Sequence, residues 1–231
     1  MTARSRHLEP ERGGGGPADG LWSEIAAGDF AGRPALFLDR DGVIVEDTHY
    51  LGRAQDVRML AGAGEAIARC NKVGVAVIVV SNQSGIARAL YDWSGFAAVQ
   101  GAIAGALAKA GARLDAVFAC AHHADGKAPL NIADHPWRKP NPGMIVAAAE
   151  RMRLDRARSW IAGDGASDLA AGRAAGLAGG VLISTRADEA ERASAMQLRS
   201  GDFAVDVASS LADAVALLLA RGQLTQSSSA P

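Results

Sequence analysis

Cysteine is scarce in this chain: the only two, Cys70 and Cys120, stand far apart. Isolated thiols make no disulfide framework, so the small cross-linked secreted classes are excluded and a reducing cytoplasm is the expected compartment. A dominant sign of charge is missing as well. With 24 basic and 25 acidic residues the formal net charge is −1, and the basic residues are scattered, so nothing marks a nucleic-acid or membrane-surface partner. Long apolar runs are absent too: no segment could span a bilayer, and Met1 to Pro10 holds no apolar core of signal-peptide length. The expectation is a soluble, monomeric, cytoplasmic protein whose partners are small molecules.

The chain does hold apolar material, 49% of 231 residues, enough for one well-packed α/β domain rather than two. Residues 1–20, with Gly13 to Gly16 followed by Pro17, cannot bury a core and are expected to be disordered, as is the tail 223–231. That leaves 21–222 as a single domain. Leu21 to Phe30 reads as a short helix anchored by Trp22 and Ile25.

The stretch Ala35-Leu-Phe-Leu-Asp-Arg-Asp-Gly-Val43 runs four apolar residues straight into two carboxylates. A short apolar run halted by Gly42 reads as a central parallel strand, and open α/β sheets bind ligands at the carboxyl ends of such strands. Alternation places Asp39 and Asp41 on one side, with Arg40 pointing away. Two like charges this close repel unless a cation sits between them or one takes a proton. Either outcome suits catalysis; a solvated loop with two aspartates is the plainer alternative.

Further along, Val75 to Val80 is a second strand ending in Ser81-Asn-Gln-Ser-Gly85, after a crossover helix over Ala61 to Asn71 that Gly74 ends. Trp93 to Ala110 carries apolar residues at helical spacing. Asp115 to Ala119 is a third strand, Pro142 to Met152 a helix opened by proline, and Arg158 to Ala162 a fourth strand, followed at once by Gly163-Asp-Gly-Ala-Ser-Asp168. Gly180 to Ser184 and Ser209 to Leu219 supply a fifth strand and a closing helix. Strands alternating with helices give a doubly wound, Rossmann-like α/β fold with a parallel sheet. Asp39 and Asp41, Ser81, and Asp164 and Asp168 then converge at one edge of that sheet.

These motifs, with Lys139 between the second and the last, resemble in order and spacing the four motifs of the haloacid dehalogenase superfamily of phosphatases. The strings Phe37-Leu-Asp-Arg-Asp-Gly-Val-Ile44, Asn82-Gln-Ser-Gly-Ile-Ala-Arg88 and Arg138-Lys-Pro-Asn-Pro-Gly-Met144 are similar to its branch of heptose-bisphosphate and histidinol-phosphate phosphatases. The resemblance implies a phosphomonoesterase acting on a small phosphorylated sugar. Asp39 would attack phosphorus, and Asp41 would serve as acid and then base. Magnesium would be held by Asp39, the Asp41 carbonyl and Asp164, with Asp168 in support. Ser81 and Lys139 would hold the phosphoryl oxygens, and Asn82, Gln83 and Arg138 would meet the substrate.

Plainer uses exist for several of these residues: Ser81 as a strand end, Asp164 and Asp168 as helix caps, Asn82 and Gln83 as turn formers. A catalytically silent sugar-phosphate binder would keep the fold, but it would not need Asp41. About thirty residues separate the first two strands, leaving no room for a large cap domain, so loops 45–58 and 120–138 are expected to set specificity. The chain departs from the resembled branch twice. Gly165 stands where a lysine is usual after the metal aspartate. In the loop that holds zinc in some relatives, Cys120 and His122 are kept while His135 and Trp137 replace two cysteines, so no structural zinc is expected.

Overall fold

The computed structural model describes residues 19–184 and 189–224. Two edge segments enclose a βα succession: β1 (Leu21–Ile25), β2 (Ala35–Leu38), α1 (Ala63–Lys72), β3 (Ala76–Asn82), α2 (Ser84–Ala87), α3 (Trp93–Lys109), β4 (Ala116–Cys120) and α4 (Gly143–Met152). Then follow β5 (Trp160–Gly163), α5 (Ala166–Ala174), β6 (Gly179–Ile183), α6 (Glu189–Met196), β7 (Ala204–Ala208) and α7 (Leu211–Ala220). The strands form one sheet in the order β1-β4-β3-β2-β5-β6-β7. The chain winds outward from β2 through β3 to β4, then returns to the other side of β2 and winds out through β6 to β7. The switch point therefore lies between β2 and its neighbours, where doubly wound sheets open a crevice.

Period-2 alternation divides the central strands between two cores. Leu36 and Leu38 of β2 and Val77 and Val79 of β3 face a core closed by α1, α3 and α7. Ala35 and Phe37, with Ala76, Ile78 and Val80, face a second core closed by α4, α5 and α6. Strands buried on both faces read as unbroken apolar runs, which is why β2 and β3 are legible in the sequence. Among the described residues no helix is long and apolar enough to cross a membrane. The loop between β2 and α1 holds only a one-turn helix, Ala54–Asp56, and isolated bridges at Asp41, Val45 and Met59, so no cap domain is inserted there.

Several expectations are corrected. Leu21 to Phe30 is not a helix: Leu21–Ile25 pairs antiparallel with β4, Leu21 opposite Cys120 and Ile25 opposite Ala116, so the sheet is mixed rather than wholly parallel. Five residues cannot nucleate a stable helix, whereas a partner strand supplies ladder hydrogen bonds at once. Pro142 precedes α4 as its cap instead of lying in the first turn. Just outside 21–222, the Gly20 carbonyl accepts from Ala121 N–H at 2.8 Å and Leu224 is fully buried. The disorder expected for 1–18 and 225–231 lies outside the described residues.

Candidate active site

Asp39 follows the last residue of β2, and its N–H still donates to the Ala162 carbonyl of β5 at 3.0 Å, so the carboxylate stands on the continued strand. Ser81 ends the buried part of β3, and Asp164 and Asp168 lie on the turn and first helical turn after β5. The oxygens of Asp39, Asp164 and Asp168 lie within 4.8 Å of one another. Lys139 reaches this cluster from the turn before α4. Its buried Nζ pairs with Asp39 Oδ1 at 2.8 Å and Asp168 Oδ1 at 2.6 Å, and it donates to the Val80 carbonyl at 2.8 Å.

One backbone feature makes the cluster possible. Gly42 has φ +78°, and a Cβ there would stand 2.1 Å from Asp164 Oδ2. Only glycine lets the turn after β2 fold this way and lets the Asp164 carboxylate close on it.

The electrostatics call for a further cation. Burial, then the charges of Asp39 and Asp168, push the Asp164 carboxyl up to about 7, with Lys139 only partly opposing. Burial likewise raises Asp168, to about 6, against the pull of Lys139. Burial alone would lower the Lys139 pKa, but Asp168 and Asp39 raise it above the usual amine value, so it stays charged. Three carboxylates facing one ammonium leave excess negative charge, and every free donor is a hard oxygen. That set fits magnesium, which prefers oxygen ligands and retains its own waters.

Arg40 points away from Asp39, its guanidinium buried 5.5 Å over the Phe96 ring. Asp41 is held by its own neighbours. Its carboxylate accepts from Arg40 Nε at 3.1 Å and Nη2 at 2.8 Å, and from Gln83 Nε2 at 3.2 Å. The strand ends at Leu38, so pleat alternation no longer governs residue 41, and the fixed charge of Arg40 captures it. Burial raises the Asp41 carboxyl above the usual range, Arg40 opposing and Asp39 adding. A carboxyl that holds its proton more tightly suits acid work.

Asn82, Gln83 and Arg138 were expected to meet substrate. Asn82 is committed instead to the Lys139 peptide, its Nδ2 donating to the carbonyl and its Oδ1 accepting the N–H, both at 3.0 Å. This two-way pair fixes the Lys139 turn to the end of β3. Gln83 is buried and bonded to Ser81, Asp41 and Tyr91. Arg138 is half-buried, with Nη1 on the His122 carbonyl at 3.0 Å. Arg88, not singled out from the sequence, joins the two bordering loops: its Nη2 bonds Asp125 at 2.9 Å, and its guanidinium lies 6.0 Å over the Tyr50 ring. Only the string Asn82 to Arg88 carried a hint of it.

The HAD-hydrolase-like family model matches residues 136–214. A D-glycero-β-D-manno-heptose-1,7-bisphosphate 7-phosphatase of Mesorhizobium japonicum is 48% identical over 166 residues, covering 71% of this chain and 76% of that one. The chain belongs to the haloacid dehalogenase-like phosphatases. Among solved structures, a HAD-like phosphatase from Mesorhizobium loti superposes with TM-score 0.76 at 42% identity, over 91% of this chain and 94% of that one. A D,D-heptose 1,7-bisphosphate phosphatase from B. bronchiseptica, complexed with magnesium and phosphate, gives TM-score 0.67 at 32% identity, over 81% and 99%.

As a haloacid dehalogenase-like phosphatase the chain is a hydrolase, and it has two local peculiarities. Gly165 offers no side chain, and a Cβ there would find Glu191 Oε1 at 3.3 Å, so an acid occupies the neighbourhood of the missing lysine. In the 120–138 loop the His122 and His135 rings stack at 4.0 Å, and Cys120 Sγ lies 3.8 Å from His135 Nδ1, which also faces the Trp137 N–H at 3.1 Å. Burial pushes the Cys120 thiol up to about 11. Leu130 and Trp137 pack on the cores, while Ile132 is exposed.

Proposed function

We propose that this phosphatase removes the 7-phosphate of D-glycero-D-manno-heptose 1,7-bisphosphate through an aspartyl-phosphate on Asp39. The observation that carries the reading is the Asp39–Lys139–Asp168 cluster with Asp164 beside it, in a chain 48% identical to a phosphatase of that name. Asp39 attacks phosphorus as the bond to the sugar oxygen breaks, and Asp41 gives that oxygen its proton. Asp41 then takes a proton from the water that releases phosphate and regenerates the Asp39 carboxylate. Lys139, 2.8 Å from Asp39 Oδ1, lies beside the transferring group. Ser81 Oγ accepts from Gln83 Nε2 at 2.7 Å, which leaves its own hydrogen for a phosphoryl oxygen. Asp39, Asp164 and the Asp41 carbonyl, with Asp168 in support, would hold magnesium, which would supply charge neutralisation for the phosphoryl oxygens. The remaining N–H groups of half-buried Arg138 suit a sugar hydroxyl or second phosphate.

A single domain over 21–222, working as a monomer in the cytoplasm, completes the reading; the free thiols Cys70 and Cys120 support a reducing compartment. Gly165 favours one rival, hydrolysis of a less anionic substrate such as histidinol phosphate. Phosphate release from a panel of sugar phosphates and histidinol phosphate, with magnesium and with chelator, separates them. The heptose bisphosphate should show the highest kcat/KM, and only with the metal; a higher value for histidinol phosphate overturns the substrate.

A further inference from the structure

Gln83 is itself held by Tyr91, a residue that the reaction as described does not use. The Gln83 side chain is 2% exposed and its hydrogen-bonding groups are engaged on both sides. Nε2 donates to Ser81 Oγ at 2.7 Å and to Asp41 Oδ2 at 3.2 Å; Oε1 accepts from the Tyr91 hydroxyl at 2.6 Å. Both N–H groups are thus spent on two residues of the proposed reaction. Turned over, the amide would set its oxygen against the Asp41 carboxylate. The Tyr91 hydroxyl is what ties Oε1 to the far side.

Tyr91 is itself held in place. A Cβ on Gly85 would stand 2.2 Å from its ring and one on Gly52 2.6 Å, so the ring occupies space that two glycines leave open. Asp41 is thus held from two sides, by the Arg40 guanidinium and by the Gln83 amide that Tyr91 ties down.

We propose that Tyr91 is a positioning residue that acts through Gln83 to fix the Asp41 carboxyl. It rests on the reading of Asp41 as the acid that protonates the departing sugar oxygen. Tyr91 touches no reacting atom, so its loss weakens the step only where that proton matters. A sugar alkoxide is a poor leaving group and needs the proton as its bond to phosphorus breaks; a nitrophenolate leaves without it.

The test compares the heptose bisphosphate with p-nitrophenyl phosphate in the magnesium-loaded enzyme. Tyr91→Phe keeps the ring and removes the hydroxyl; Gln83→Met keeps the length and removes the amide. The readout is the single-turnover rate of Asp39 phosphorylation, which precedes the water step that both substrates share. Tyr91→Phe should slow it about tenfold on the bisphosphate, equivalent to about 1.4 kcal/mol of barrier, with substrate affinity little changed. On the nitrophenyl ester it should move by less than about twofold. The double variant should be no slower than Gln83→Met alone, since one residue acts through the other. Equal losses on both substrates, or additive losses in the double variant, overturn the relay. Asp41→Asn serves as the reference in the same readout. If it too slows phosphorylation by both substrates equally, the acid assignment itself falls; if it discriminates while Tyr91→Phe does not, only the positioning claim falls.

Discussion

Replacing Lys139 by methionine keeps the side-chain length and removes the ammonium that faces Asp39 and Asp168. Nζ pairs with Asp39 at 2.8 Å and Asp168 at 2.6 Å and donates to the Val80 carbonyl at 2.8 Å, so the variant strands two carboxylates and one buried acceptor. Taking one partner out of a buried ion pair costs about 3 to 5 kcal/mol, because the remaining charge is left uncompensated. Protonation offers an escape. Asp168 already titrates at about 6 with the lysine present, and its loss moves that carboxyl further up. A folded-state pKa above the unfolded value means that the folded state binds the extra proton, so stability falls as pH rises through that range. The destabilisation should therefore approach about 3 kcal/mol or more at pH 8 and shrink at pH 5.5. Urea unfolding of both proteins with chelator present measures it at the two pH values, and adding Asp168→Asn to the variant should recover part of the loss. A cost below about 1 kcal/mol at pH 8, or one independent of pH, refutes the reasoning.

The same carboxylates predict how magnesium and protons compete. Because Asp164 is pushed up to about 7, metal must displace a proton in acid, so the rise in melting temperature on adding magnesium should be larger at pH 8 than at pH 5.5, and an equal rise counts against the cluster as the site. Gly165→Lys should raise kcat/KM for the bisphosphate, since a charge-assisted contact is worth about 1.5 to 3 kcal/mol; the new side chain must pass Glu191, 3.3 Å from the added Cβ, and an unchanged value removes position 165 from substrate binding. Metal analysis of protein purified without chelator should find no stoichiometric zinc in the 120–138 loop, where Cys120 and two stacked histidines fall short of a closed ligand set; one zinc per chain lost on Cys120→Ser would reverse that.

What was legible in the sequence was whatever a single element encodes. β2 and β3 announce themselves because both faces are buried, and Asp39, Ser81, Asp164 and Asp168 follow because the strand ends do. β1 was not legible: its five residues gain their form from β4, 91 or more positions away, with Ile25 opposite Ala116. β7 had a local signal, the alternation of Val205, Asp206 and Val207, but lies at the other edge, half covered. Contacts across loops were the other gap. That Asp41 turns to Arg40, that Lys139 ties Asp39 to Asp168, and that Tyr91 reaches Gln83 depend on turn geometry and side-chain direction, which residue order does not carry.

The central claim is that Asp39 becomes phosphorylated during turnover. Asp41→Asn keeps the nucleophile and lacks the group that activates water, so it should trap the intermediate when the leaving group needs no proton. The decisive measurement mixes Asp41→Asn with p-nitrophenyl phosphate and magnesium, quenches in acid and maps phosphate by peptide mass spectrometry, with Asp39→Asn treated alongside. The account predicts phosphate on the Asp39 peptide of Asp41→Asn, and neither label nor turnover in Asp39→Asn. Phosphate release by Asp39→Asn at the unaltered rate would contradict it.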